Sequence, residues 1–194
     1  MTCIVGLIDK DGVYIGGDSA AISSDDLSYN IRADEKVFTK GDFIIGFSTS
    51  FRMGQLLKYK LRIPAHPKGM DTHQFMATLF IDAVKKCFDD NDYNEMTTDD
   101  GGCFMVGYKG CLFTILPDYQ VSQAKESYTA LGCGELIALG AMNIIVTTGL
   151  LEKDPLKRVE LALNATVAHS MGARPPEKEQ KKKQNENNYN IHHG

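Results

Sequence analysis

From Thr2 to Ile8 the chain is apolar and rich in β-branched residues. Asp9-Lys10-Asp11-Gly12 then carries an Asp-Gly turn signal, and Val13-Tyr14-Ile15 resumes the apolar run before Gly16-Gly17-Asp18. That pattern predicts a β-hairpin, because Asp-Gly accepts the positive φ that a tight hairpin turn requires. A polar stretch from Ser19 to Asp34 separates it from Lys36-Val37-Phe38-Thr39, the turn Lys40-Gly41-Asp42, and Phe43-Ile44-Ile45-Gly46-Phe47. These predict a second hairpin, and the unbroken apolarity of its last strand predicts burial on both faces.

Helical spacing takes over next. Met53, Leu56, Leu57 and Lys60 suit a short helix. Asp71 with Gln74 resembles a capping box opening a longer one, whose stripe is Phe75, Met76, Leu79, Phe80, Ala83 and Cys87. The two are expected to pair as a helical hairpin. Cys103–Tyr108, the Lys109-Gly110 turn, Cys111–Leu116 and a segment ending at Tyr128-Thr129-Ala130-Leu131 read as further antiparallel strands. Glu135 to about Val146 reads as a helix whose β-branched end blurs its boundary. Asp154-Pro155, a cap followed by proline in the first turn, starts a last helix carrying Leu156, Val159, Leu163 and Val167 and running to about Met171.

Strands, helices, strands and helices in that order exclude a βαβ alternation. They predict an α+β fold of antiparallel sheets packed together with helices outside. Residues 1–174 are expected to form one domain. From Pro175 the chain becomes too polar to bury anything, so 175–194 reads as a disordered tail.

Composition narrows the function classes. With 43% hydrophobic and 24% charged residues the chain is ordinary globular material, and a net charge of −4 gives no electrostatic case for nucleic acid or an anionic membrane. No secretion signal and no bilayer-length apolar segment are evident, which predicts a cytoplasmic protein. Five scattered cysteines without a C-x-x-C pair read as free thiols. Gly132-Cys133-Gly134 fails as a dinucleotide fingerprint because Ile137 stands where the third glycine belongs. Asp90-Asn91-Asp92 fails as a calcium loop because Glu95 occupies the turn-glycine position and Gly101 the bidentate-glutamate position. The five histidines lack metal-ligand spacing, and there is no G-x-S-x-G nucleophile elbow. Neither cofactor nor metal is expected.

Thr2 is what remains. Removal of Met1 would give it a free α-amine beside its own hydroxyl, so that nucleophile and general base share one residue. The reference pKa of an α-amine, about 7.7–8.0, leaves it partly neutral at working pH.

"TCIVGLIDKDGVYIGGDSA", "DEKVF", "FIIGFSTS" and "YTALGCGELIALGAM" together resemble the proteasome β-subunit and HslV-type threonine proteases of the N-terminal nucleophile hydrolases, in order and spacing over most of residues 2–171. The resemblance implies a four-layer αββα sandwich. It assigns Thr2 as nucleophile, Asp18 and Lys36 as the ion pair that organises it, the Thr49 N–H as oxyanion donor, and Cys133 as the counterpart of a supporting serine. It places Phe47 and Ala21 near the specificity pocket. The expected activity is threonine-type peptidase action on peptide or unfolded protein, inside a homo-oligomeric ring, with an ATP-dependent unfoldase as a further partner. The alternatives are a catalytically silent ring scaffold or binding module, and an amidase acting on a small substrate without a ring.

Three departures accompany the resemblance. Thr49 stands where the family commonly has glycine, and Cys133 where it has serine. The later supporting aspartate and serine have no clear counterpart in "TVAHSMGARPP", where Ser170 is the nearest match, and the polar tail replaces the final strand.

Overall fold

The computed structural model describes residues 2–22, 29–31, 33–93, 102–151, 153–170 and 179–183. Two antiparallel sheets form its centre. The first has the order β10-β1-β2-β11, with β1 Cys3–Asp9, β2 Gly12–Gly17, β10 Tyr128–Gly132 and β11 Glu179–Lys183. The second has the order β5-β6-β7-β8-β9, with β5 Val37–Lys40, β6 Phe43–Phe47, β7 Phe104–Tyr108, β8 Cys111–Ile115 and β9 Val121–Gln123. A two-stranded ribbon, β3 Ala20–Ile22 and β4 Tyr29–Ile31, stands apart from both.

The period of two sorts side chains into layers. In β1, Cys3, Val5 and Leu7 face the helices α4 (Glu135–Thr148) and α5 (Pro155–His169), where they meet Ala138, Met142, Ile145, Val159, Ala162 and Leu163. Ile4 from the same strand points the other way and joins Val13, Ile15, Val37, Ile44, Met105 and Leu112 between the sheets. In β6 and β7, Phe43, Ile45, Phe47, Phe104 and Val106 face a second helical layer. That layer comprises α1 (Phe51–Tyr59), α2 (Thr72–Phe75), a π-helical turn (Met76–Phe80) and α3 (Ile81–Asp89). The result is a four-layer αββα sandwich. Its inter-sheet gap is tight: a Cβ on Gly46 would lie 2.8 Å from Ile4 Cγ2 and 3.1 Å from Ile15 Cγ2.

The helix boundaries have local causes. Ser50, Asp71 and Asp154 each accept a main-chain N–H of the first turn at the starts of α1, α2 and α5. The β-branched end of α4 stays helical through Thr148. Thr147 and Thr148 hydroxyls donate back to the carbonyls of Asn143 and Ile144, and Gly149 closes the helix in the left-handed conformation. α1 and α3 meet in one apolar cluster through Leu56, Leu57, Val84 and Phe88.

Two elements went unread in the sequence, and one reading needs correction. The polar stretch after Asp18 contains the β3–β4 ribbon, and β9 extends the second sheet by one edge strand. Part of the segment read as a tail is ordered: Glu179–Lys183 pairs antiparallel with β2, Glu179 opposite Gly16 and Lys183 opposite Gly12. The strand read as missing is therefore present, held by main-chain hydrogen bonds that need no apolar side chains. Residues 184–194 lie outside the described residues.

Candidate active site

The site sits where the starts of β1 and β5 meet the ends of β2, β6 and β10. Thr2 directly precedes β1 and is buried. Asp18 directly follows β2 and is tied to β1 twice: its N–H donates to the Cys3 carbonyl at 3.1 Å, and its Oδ1 accepts the Cys3 N–H at 2.9 Å. Lys36 directly precedes β5, and its carbonyl accepts the Phe47 N–H at 3.0 Å. Pairing of β1 with β2 and of β5 with β6, together with contact between the sheets, thus brings these residues to one point.

There Lys36 Nζ donates to Thr2 Oγ1 at 3.1 Å and to Asp18 Oδ1 at 3.0 Å. The Lys36 and Asp18 side chains are 2% and 0% exposed, so both charges are out of water and depend on each other. Burial lowers the Lys36 pKa from its ordinary 10.5, and the Asp18 carboxylate opposes that shift. The Phe51 ring lies 5.7 Å from Nζ and closes one side. Because the lysine donates to the threonine oxygen, the hydroxyl proton is left free to go elsewhere.

β10 supplies the next wall. Cys133 Sγ donates to the Thr2 carbonyl at 3.4 Å, so a thiol stands where the resemblance expects a serine. Gly132 has φ +95, and a Cβ there would lie 2.1 Å from the Thr2 oxygen. Behind Thr2, Cys3 Sγ donates to Thr166 Oγ1 at 3.7 Å. Burial, chiefly, pushes the Cys3 thiol up to about 12, so it stays protonated and serves as packing.

Thr49 follows β6 in an unusual turn. Ser48 N–H donates to the Cys103 carbonyl at 2.9 Å, and Ser50 N–H donates to the Ser48 carbonyl at 2.9 Å. With φ +72 at Thr49 this is a γ-turn of the strained, left-handed kind. Of the five non-glycine residues with positive φ among those described, Thr49 is the β-branched one, and such a conformation costs about 1–3 kcal/mol. Among the described residues the Thr49 N–H makes no hydrogen bond, so it is a free donor.

The structure brings Thr2, Asp18, Lys36 and Cys133 into direct contact. Thr49 joins them through Ser48, whose Oγ lies 3.4 Å from Thr49 Oγ1 and 3.1 Å from the position of a Cβ on Gly132. Phe47 packs within the helical-layer cluster, its ring edge-on to Phe51, and so is a core residue. Ser170 caps the C-terminus of α5. Sequence reasoning missed Ser48 and Thr166. Ser48 is legible only as the neighbour of Thr49, and Thr166 only as a polar residue on the buried face of α5. Among the described residues no three His, Cys, Asp or Glu side chains converge as a metal ion would need, and no helix is long and apolar enough to cross a membrane.

Paired antiparallel sheets between helical layers, with Thr2 at the head of a central strand, define the class of fold. It is shared by BPH from Thiobacillus denitrificans, solved in complex with epoxomicin (TM-score 0.74, 15% identity, 92% of this chain and 95% of that one). It is shared also by HslV from Trypanosoma brucei (0.62, 15%, 89% and 94%) and by an Anbu mutant from Hyphomicrobium sp. strain MC1 (0.64, 12%, 90% and 78%). At these identities the likeness establishes the fold. No family model and no curated protein sequence matches the chain.

Proposed function

We propose that the protein is an N-terminal threonine hydrolase, a peptidase whose nucleophile is Thr2 after loss of Met1. The observation that carries this reading is the single buried ammonium of Lys36 spanning the Thr2 hydroxyl and the Asp18 carboxylate. In the reaction the free α-amine accepts the hydroxyl proton as Oγ1 bonds to the peptide carbonyl carbon, and Lys36 stabilises the oxygen as charge develops. The carbonyl oxygen, now an oxyanion, is held by the Thr49 N–H. Collapse of the tetrahedral species breaks the C–N bond, and the α-ammonium returns its proton to the leaving amine. Water, deprotonated by the same amine, then hydrolyses the ester and restores Thr2.

The test is intact mass before and after treatment with a peptide epoxyketone, the probe class of the epoxomicin that BPH binds. The expected result is protein lacking Met1 that gains one inhibitor mass. Met1 retained in an active preparation would sink the mechanism, since an acylated nitrogen cannot act as the base. A scaffold without catalysis is the second reading, and the departures from the family pattern at Thr49 and Cys133 favour it. Rings that form with Met1 removed, yet neither cleave a peptide library nor take up the probe, would decide for the scaffold.

The proposed working form is a cytoplasmic homo-oligomer. α4 carries one charged residue, Glu135, and is apolar on nearly every side, a pattern that belongs to buried helices. Yet Leu136 is 82% and Ile144 59% exposed, on one stripe with Gly140 between them, beside which a Cβ would meet no atom within 4 Å. A second copy covering this stripe would remove it from water. Leu136→Asp is therefore expected to reduce the particle from a multiple of 21.4 kDa toward the single subunit by light scattering. Wild-type protein that is monomeric at micromolar concentration would refute the assembly. An unfoldase partner acting on protein substrates is part of the same proposal.

A further inference from the structure

We propose that the Thr49 side-chain hydroxyl is a second donor to the oxyanion, with Ser48 as the residue that orients it; the inference rests on the threonine-hydrolase reading above. The starting point is a mismatch between residue and conformation. The γ-turn after β6 holds its central residue at φ +72, which glycine adopts freely and a β-branched residue does not. Strain of this kind persists where the surrounding structure enforces it and the residue does something that the relaxed alternative could not. Here the main-chain donor would be the same with glycine. What threonine adds is a side chain.

Its surroundings suit a hydroxyl. Ser48 is 3% exposed, and among the described residues its Oγ makes one hydrogen bond, with Thr49 Oγ1 at 3.4 Å. Ser48 Oγ also lies beside Gly132, which packs closely against the Thr2 carbonyl. Two hydroxyls therefore run from the interior of the site to Thr49, which is itself exposed. With Ser48 donating to Thr49 Oγ1, the Thr49 proton is left for an incoming oxygen. The β-branch restricts χ1, so the hydroxyl is held ready rather than ordered during the reaction. No bond is made or broken at Thr49: it donates a hydrogen bond to the tetrahedral oxygen and keeps its proton when that oxygen reverts to a carbonyl.

Four variants test this: Thr49→Val, Thr49→Gly, Thr49→Ser and Ser48→Ala. They are compared by kcat, KM, melting temperature and affinity for a peptide aldehyde, whose hemiacetal with Thr2 mimics the tetrahedral oxygen. Thr49→Val keeps the shape and loses the hydroxyl. It is expected to lower kcat and aldehyde affinity together by about tenfold to a hundredfold, with KM little changed and the same melting temperature, since the N–H donor remains. Thr49→Gly should lose kcat to the same extent while raising the melting temperature by releasing the strain. Thr49→Ser should recover most of the loss, and Ser48→Ala should give a smaller fall in kcat. Wild-type kcat in Thr49→Val or Thr49→Gly, from a protein whose wild type cleaves peptide, overturns this inference alone. A wild type that neither cleaves nor labels overturns the hydrolase reading and this inference with it.

Discussion

Thr2→Ala is expected to abolish peptide cleavage and epoxyketone labelling together, by more than about a thousandfold in kcat, because it removes the one hydroxyl that carries its own base. Thr2→Ser keeps both groups and should retain measurable turnover. The alanine variant should still fold. Lys36 keeps its bond to Asp18, and the lost hydrogen bond to a charged donor costs about 1.5–3 kcal/mol. Assembly should be untouched, since Thr2 lies in the interior and the exposed stripe of α4 lies elsewhere. Cleavage that survives Thr2→Ala would move the nucleophile to another residue.

Lys36→Ala should damage both stability and activity, and the two effects can be separated. With the lysine gone, the Asp18 carboxylate, fully buried, loses its cation, and breaking a buried ion pair from one side costs about 3–5 kcal/mol. Activity, measured well below the lowered melting temperature, should fall by about a hundredfold to a thousandfold through loss of the preorganised cation. The double variant Lys36→Met/Asp18→Asn removes both charges, so it should recover most of the stability and none of the activity. If it recovers both, the pair is structural. A pH profile gives an independent reading. The Lys36 pKa is lowered by burial, so the lysine loses its proton below its ordinary 10.5, and kcat/KM should decline with rising pH before that value is reached. An alkaline limb at or above 10.5 would assign the decline to another group.

Much of the architecture was legible because it depends on what each strand must bury. β1, β2, β6 and β7 are covered on both faces, so their residues are apolar in unbroken runs, and their turns announce themselves through Asp-Gly, Gly-Asp and Lys-Gly pairs. The caps at Asp71 and Asp154 were legible for a similar reason, as a side-chain oxygen three residues from the N–H it accepts is a local signal. β9 and β11 were not. Edge strands pair through the main chain on one side and need little apolar surface, and Glu179–Lys183, with three lysines, has none.

The sequence by itself determined the alternation that builds two sheets between helices, and the resemblance at Thr2, Asp18 and Lys36 pointed to one chemistry. Whether those three residues form one group was decided only by tertiary structure. Asp18 and Lys36 stand 15 and 33 positions from Cys3 along the chain, and the pairing of β1 with β2 and the packing of one sheet on the other bring them into contact. The same holds for the turn at Thr49. Its φ is imposed by the Ser48 bond to Cys103, by the γ-turn closure at Ser50 and by the start of α1, none of which a threonine's own preferences would select. Local preference sets which elements can form, because burial and capping are read within a few residues. Long-range packing sets where a side chain ends up and what strain it bears, because those depend on neighbours that the chain meets only when folded.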